Sequence, residues 1–377
     1  RPAACRREKG EEKRMHRLGI SVYPEHSTQE RDFAYMELAA KYGFSRIFTC
    51  LLSASSDPMV IKREFGAFLK KAHELGFEVA ADTNPQVFKN LGASPENLEV
   101  FHELGLDIIR LDGHFDERQD VLITRNPYGI KIEFNGSLDT DVERLIRRGA
   151  DRRNMTICHN FYPERYTGLS QKTFDRANEK WASLGMTTAA FVSSQEEHTF
   201  GPWEVYQGLP TLEADRTLPM DAQVRHMVAC EGIDDILIGN AYAAEEELAA
   251  MAGVKLTNTT VKMDPAEGLG EAERDAVFRF THTGREDASE YLLRSSFPRL
   301  QFKDREIPFR PCDKRTFTRG DVLVVNDNLA HYRGEVEIVL TEVENDGQRN
   351  LAGRIADTDV RILDEMEKRP GHAFEII

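Results

Sequence analysis

The chain has 377 residues, a formal net charge of -15, and 40% hydrophobic against 30% charged residues. This length suits one large domain plus a smaller one. The acidic balance argues against broad nucleic-acid or anionic-membrane binding, and no apolar run reaches membrane-spanning length.

Residues Arg1–Arg14 are charged and lack an apolar signal core. They are expected to form a disordered extension, with Met15 as the natural start and no secretory signal. The cysteines, Cys5, Cys50, Cys158, Cys230 and Cys312, are scattered without a CxxC pair. That usage fits a reducing, cytoplasmic setting and offers neither a disulfide framework nor a zinc motif.

From Leu18 onward, short apolar runs end in polar residues. They read LGISVYPE (18–25), RIFTCLL (46–52), EVAADTN (78–84), DIIRLDG (107–113), KIEFNG (131–136), MTICHNFYP (155–163), TTAAFVSS (187–194) and DDILIGN (234–240). Helical patterning fills the gaps at 28–42, 58–75, 94–104, 138–148, 170–184, 218–230 and 245–252, and most of these stretches end on glycine. Parallel strands need such crossovers. Eight strands so spaced predict an α/β fold, a (β/α)8 TIM barrel over 15–252. The carboxyl ends of its strands form the active-site rim. After 252 the cadence breaks. KLTNTTVKM (255–263), AVFRFTH (276–282), TRGDVLVVND (318–327) and GEVEIVLTEV (334–343) read as strands, so 255–377 is expected to be a second, mainly β domain.

Residues two apart on a strand share a face. Ser21, Tyr23 and Glu25 therefore align, as do Arg110 and Asp112, Lys131, Glu133 and Asn135, and Thr156, Cys158 and Asn160. A helix-packed outer face tolerates charge poorly, so these faces point inward. Asp112 and Glu133 end neighbouring strands and form the expected acid–base or nucleophilic pair, with Arg110 and Lys131 one layer deeper. The competing reading is a salt-bridge lattice of Arg110–Asp112 and Lys131–Glu133. Glu25 and Asp82 also end strands, and either can replace a member of the pair or bind sugar hydroxyls. The loop CHNFYPERYTGLS (158–170) offers His159, Asn160, Tyr162, Thr167 and Gly168, a mixture suited to a hydroxyl-rich or phosphorylated ligand. The long segment 193–216 reads as a lid or binding loop, with Trp203 and Tyr206 placed to stack on a sugar and Arg216 to meet a charge. Asn240 ends the eighth strand. Arg294, Ser295 and Tyr332 are weaker candidates from the second domain. His and Cys spacings make no metal cage, so neither cofactor nor metal is expected.

The stretches LGISVYPE, FTCLLS, DTNP, IIRLDG, IEFNGS, HNFYP with TGLS, GPWEVYQGLPTLEADR, DDILIGNAYA and RGDVLVVNDNLAHYRGEVEI together resemble the bacterial 6-phospho-N-acetylmuramidase family. The resemblance implies a barrel followed by a cyclophilin-like β domain. It also implies an exo-acting cytoplasmic glycosidase of peptidoglycan recycling, cleaving 6-phospho-N-acetylmuramic acid from N-acetylglucosamine. The expected partner is thus a phosphorylated amino-sugar disaccharide, with no nucleic acid and no membrane, and with homo-oligomer formation left open. Two alternatives stand beside it: an aldolase or isomerase of phosphorylated sugars, and a non-catalytic sugar-binding protein.

Overall fold

The computed structural model describes residues 16–52, 58–138, 140–302 and 304–377. The expected extension 1–14 and Met15 lie outside the described residues. Two compact units are present. The first runs to Thr217 and resumes at Glu231–Ala252, and the second comprises Leu218–Cys230 and Gly253–Ile377.

The first unit is a closed barrel of β1 (Arg17–Ser21), β2 (Arg46–Cys50), β3 (Glu78–Thr83), β4 (Ile108–Leu111), β5 (Lys131–Asn135), β6 (Met155–Cys158), β7 (Thr188–Val192) and β8 (Asp235–Ile238). All neighbouring pairs are parallel, and β8 closes onto β1 with Gly19 opposite Leu237. Each strand falls within an apolar run read from the sequence, save that β1 begins one residue earlier, at Arg17. Asp82 and Asn135 lie within the ladder, on β3 and β5, whereas Glu25, Asp112, Asn160 and Asn240 fall beyond it, where the chain turns into the rim loops.

Helices of this unit are α1 (Gln29–Lys41), α2 (Pro58–Glu74), α3 (Pro85–Leu91), α4 (Glu99–Leu104), α5 (Glu117–Ile123), α6 (Val142–Arg147) and α7 (Gln171–Ser183). The next helix, α8 (Met220–Ala229), belongs to the second unit, and α9 (Glu245–Ala252) ends the first. Helix α4 closes on Gly105, which at φ 85° satisfies the carbonyls of Phe101 and His102. Helices α3 and α5 were not expected from the pattern. Both are two turns long, too short for a visible period. Each carries a cap: Asn84 accepts from Val87 N at 3.0 Å, and Asp116 accepts from Gln119 N at 2.8 Å. Asn84–Pro85, which reads as a turn, is a cap followed by a proline in the first helical turn.

The second unit contains β9 (Thr259–Val261), β10 (Met263–Pro265), α10 (Glu271–Phe278), β11 (His282–Thr283), β12 (Leu292–Ser295), α11 (Phe297–Phe302), β13 (Thr316–Phe317), β14 (Asp321–Val325), β15 (Val336–Val339), β16 (Val343–Glu344), β17 (Arg349–Ile355), α12 (Ile362–Lys368) and β18 (Ala373–Ile376). The main sheet runs β10-β17-β14-β15-β12 and is antiparallel throughout. Smaller sheets pair β11-β18-β9 and β13-β16. Val322, Val324, Val336 and Ile338 pack in its core with Ile362, Leu363 and Phe374. The stretch 276–282 is a correction: Ala276–Phe278 end α10, and only His282 begins a strand. Gly270 N donates to Glu273 Oε2 at 2.6 Å. That contact starts a helix whose Ala276 and Val277 face the core, overriding the β-prone look of VFRF. Among the described residues, no helix is long and apolar enough to cross a membrane.

Candidate active site

The barrel interior is divided by chemistry. Tyr23, Phe48, Cys50, Phe191 and Leu237, from the loop after β1 and from β2, β7 and β8, make an apolar side. Asp82, Arg110, Glu133 and Asn135, from β3 to β5, make a buried polar side. Strand parity puts both sets inward, because successive side chains alternate across the sheet.

Deep in the barrel, Arg46 is 1% exposed. Its guanidinium crosses from β2 to Glu133 Oε2 on β5 at 2.6 Å and to Asp235 Oδ2 on β8 at 3.2 Å. Gly19 makes the crossing possible. A Cβ there would stand 2.2 Å from Leu237 Cδ2 and 2.9 Å from Arg46 Cβ. Nearby, Glu78 pairs with Lys131 at 2.7 Å and with Arg17 at 2.9 Å. A salt-bridge lattice therefore exists; Arg110–Asp112 is part of it at 3.7 Å, whereas Lys131 and Glu133 take other partners than the strand pattern suggests. Glu133 meets Arg46 and Thr156, and Lys131 meets Glu78. Arg46 was missed because one arginine in an apolar strand reads as an edge residue. Its partners lie two and three strands away around the barrel.

Nearer the rim, Arg110 binds two carboxylates with one nitrogen. Its Nη1 lies 2.6 Å from Asp82 Oδ1 and 3.7 Å from Asp112 Oδ1. Its Nη2 donates to Asn160 Oδ1. Asp82 is 3% exposed, whereas the side chain of Asp112 is 47% exposed. Burial raises the Asp82 carboxyl to about 6, Asp112 and Glu133 add repulsion, and Arg110 pulls the other way. Tyr23 is fully buried and donates to Gly239 O at 2.6 Å. Burial pushes its hydroxyl up, and the charges of Glu25 and Asp82 add to the effect. Glu25 sits on a 3-10 turn, Pro24–His26, above β1.

Several residues expected to touch ligand are engaged in the scaffold. His159 is buried between Asn178 Oδ1 at 2.8 Å and Ser137 Oγ at 3.2 Å, and burial lowers its pKa to about 4. Asn240 exchanges hydrogen bonds with the Ser194 backbone and receives one from Ser193. Asn135 accepts from Ser137 N at 3.0 Å. Arg216 is 5% exposed and staples two loops: it donates to the carbonyls of Tyr162, Glu164 and Gln207 and forks onto Glu213. That fork holds the Glu213 carboxyl down at about 2. Glu213 also accepts from Gly168 N at 2.8 Å, and Thr167 Oγ1 donates to Glu164 O at 2.6 Å. Thr167, Gly168 and Arg216 thus shape the loop wall. Tyr162 anchors the same wall through its backbone, its N–H donating to Pro210 O at 3.0 Å. In the second unit, Arg294 pairs with Glu335 at 2.9 Å, buried Ser295 meets His282 at 3.0 Å, and Tyr332 packs beneath Arg299.

An aromatic column rises from the apolar side. Phe161 packs edge-on against Phe48 and Phe191, and Trp203 lies 5.8 Å from Phe161 with 44% of its surface exposed. Tyr206 is 69% exposed. An exposed indole fixed from below is a platform on which a sugar ring can stack. Among the described residues, no group of three metal-binding side chains converges at this rim.

The closed parallel barrel, with carboxylates gathered beside an arginine at the carboxyl ends of its strands, places the chain among TIM-barrel proteins. The model of the 6-phospho-N-acetylmuramidase N-terminal region matches residues 18–253, and that of the C-terminal region matches 259–377. The chain belongs to the 6-phospho-N-acetylmuramidase family, a family named for glycoside hydrolysis. A crystal structure of an uncharacterized B. cereus protein is 38% identical, with a TM-score of 0.87, over 96% of this chain and 99% of that one. A conserved Enterococcus faecalis protein of unknown function is 25% identical, with a TM-score of 0.66, over 96% of each chain. Comparison with curated proteins returns no match.

Proposed function

We propose that this protein hydrolyses the glycosidic bond between 6-phospho-N-acetylmuramic acid and N-acetylglucosamine, in the cytoplasm, as a step of cell-wall recycling. The observation that carries the reading is the pair of carboxylates sharing Arg110 Nη1, set in a chain whose two units both match this family.

Glycoside hydrolysis needs one carboxyl that is protonated at working pH and one that is charged. Asp82, held at about 6 by burial, keeps a protonated fraction near neutrality and suits the acid. It gives its proton to the leaving oxygen as the bond to the anomeric carbon breaks. Asp112, open to solvent, supplies the negative charge that faces the developing oxocarbenium ion. The two carboxylates are no farther apart than their contacts with Arg110 of 2.6 Å and 3.7 Å laid end to end. This spacing favours attack by Asp112 or by the substrate's own 2-acetamido oxygen, with Asp112 orienting that amide. Asp82 then takes a proton from the water that completes hydrolysis. Glu133, one layer below and bound to Arg46, supports the site through charge. Asn160, already aligned by Arg110, and Trp203 are the groups best placed to hold the sugar.

The test is incubation with the phosphorylated muramyl disaccharide beside its unphosphorylated twin, with products followed by mass spectrometry. Release of N-acetylglucosamine from the phosphorylated compound alone is expected. Equal cleavage of both would remove the phosphate requirement, and cleavage of neither would end the reading.

A further inference from the structure

We propose that the second unit carries a metal site formed by His226, Cys230 and Glu365. His226 lies on α8, Cys230 caps the end of that helix, and Glu365 lies on α12. One donor atom from each lies within 4.8 Å of the other two. The three residues are 1%, 3% and 3% exposed. This site is separate from the carboxylates at the barrel rim and does not depend on the proposed reaction.

Spacing supplies two of the ligands. Residues four apart on a helix stand one above the other, so His226 and Cys230 present imidazole and thiol to the same side. Helix α12 packs against α8 and brings the third. The cluster was invisible in the sequence because Glu365 is remote from the His-x-x-x-Cys pair.

The donor set selects the metal class. Thiolate, imidazole and carboxylate together are the ligands of zinc, and three of them leave one tetrahedral position for water. A divalent cation offsets the charges of an ionised thiol and carboxylate, which lowers the cost of burying them. Helix α8 also points its negative end at the site. That end already draws a cation, since Arg369 donates to Ala229 O. Lys368 reaches Glu365 Oε1 at 2.7 Å, so a cation already sits at one edge of the cluster. Tetrahedral zinc places its ligand atoms roughly 3.3–3.8 Å apart. The bound of 4.8 Å on the three donors lies within side-chain adjustment of that spacing.

The full chain, purified without chelator, is measured for metal content, and the metal-free protein is titrated with Co2+. The expected result is about one tightly bound zinc per chain. Cobalt should give a near-ultraviolet thiolate-to-metal charge-transfer band that saturates at one equivalent. Cys230→Ser should abolish the band, Glu365→Gln should weaken cobalt affinity by at least roughly tenfold, and Cys312→Ser should leave both unchanged. No bound zinc and no thiolate band in the folded wild-type chain would overturn the proposal, and this readout does not depend on any variant folding. A band that survives Cys230→Ser would also overturn it, since the ligand would then be another cysteine.

Discussion

Replacing Glu133 by Gln separates a charge that holds the barrel from one that does chemistry. Glu133 and Arg46 are each 1% exposed and meet at 2.6 Å. Glutamine keeps the size and one acceptor oxygen but removes the charge, leaving Asp235 at 3.2 Å as the carboxylate in contact with Arg46 among the described residues. Breaking a buried ion pair from one side costs about 3–5 kcal/mol. In a unit of this size each kcal/mol lowers the midpoint by about 2–4 °C, so a loss of roughly 6–20 °C is expected in the transition of the barrel unit. The assay is thermal unfolding followed by circular dichroism, with turnover of the phosphorylated disaccharide measured well below the new midpoint. A double-mutant cycle with Arg46→Gln should return a coupling of several kcal/mol. If Glu133→Gln melts within about 1 kcal/mol of wild type yet loses turnover by orders of magnitude, Glu133 is a reacting group and the division between structural and rim carboxylates is wrong.

Asp112→Asn should lower kcat by about 10²–10⁴ while moving stability by no more than about 0.5 kcal/mol, because its side chain is half exposed; steady-state kinetics and unfolding check both. The folded pKa of Asp82, about 6, lies above the unfolded value, so the native chain binds the extra proton between pH 4 and 6. Stability from this group therefore falls as pH rises through that window, by an amount of the order of 3 kcal/mol. Wild type should lose stability relative to Asp82→Asn over pH 4–6 in urea titrations, and its kcat/KM should decline above pH 6 as the acid form is lost. Gly19→Ala should destabilise the barrel by about 1–3 kcal/mol, since the new methyl meets Leu237 and the Arg46 stem; chemical denaturation reads the loss directly.

The barrel was legible because local rules and the global fold agree. Runs such as RIFTC and AAFV are the length of a strand, apolar on both faces, and spaced by capped helices. Parity alone placed Arg110 and Asp112 on one inward face, because alternation is a property of any extended backbone. The family was legible in stretches such as GPWEVYQGLPTLEADR for a different reason: so long and particular a pattern rarely arises by chance.

Partner choice was settled by the tertiary structure. Nothing local tells Arg46 that Glu133 lies across the barrel, or that Arg110 will take Asp82 at 2.6 Å and leave Asp112 at 3.7 Å. Nor does the loop 158–170 announce that Arg216 will spend its guanidinium on that loop's carbonyls and on Glu213. The type and facing of each side chain are written in the order of residues along one strand. The distance between two charges, and the burial that moves a carboxyl to about 6, depend on strands brought together by closure of the barrel.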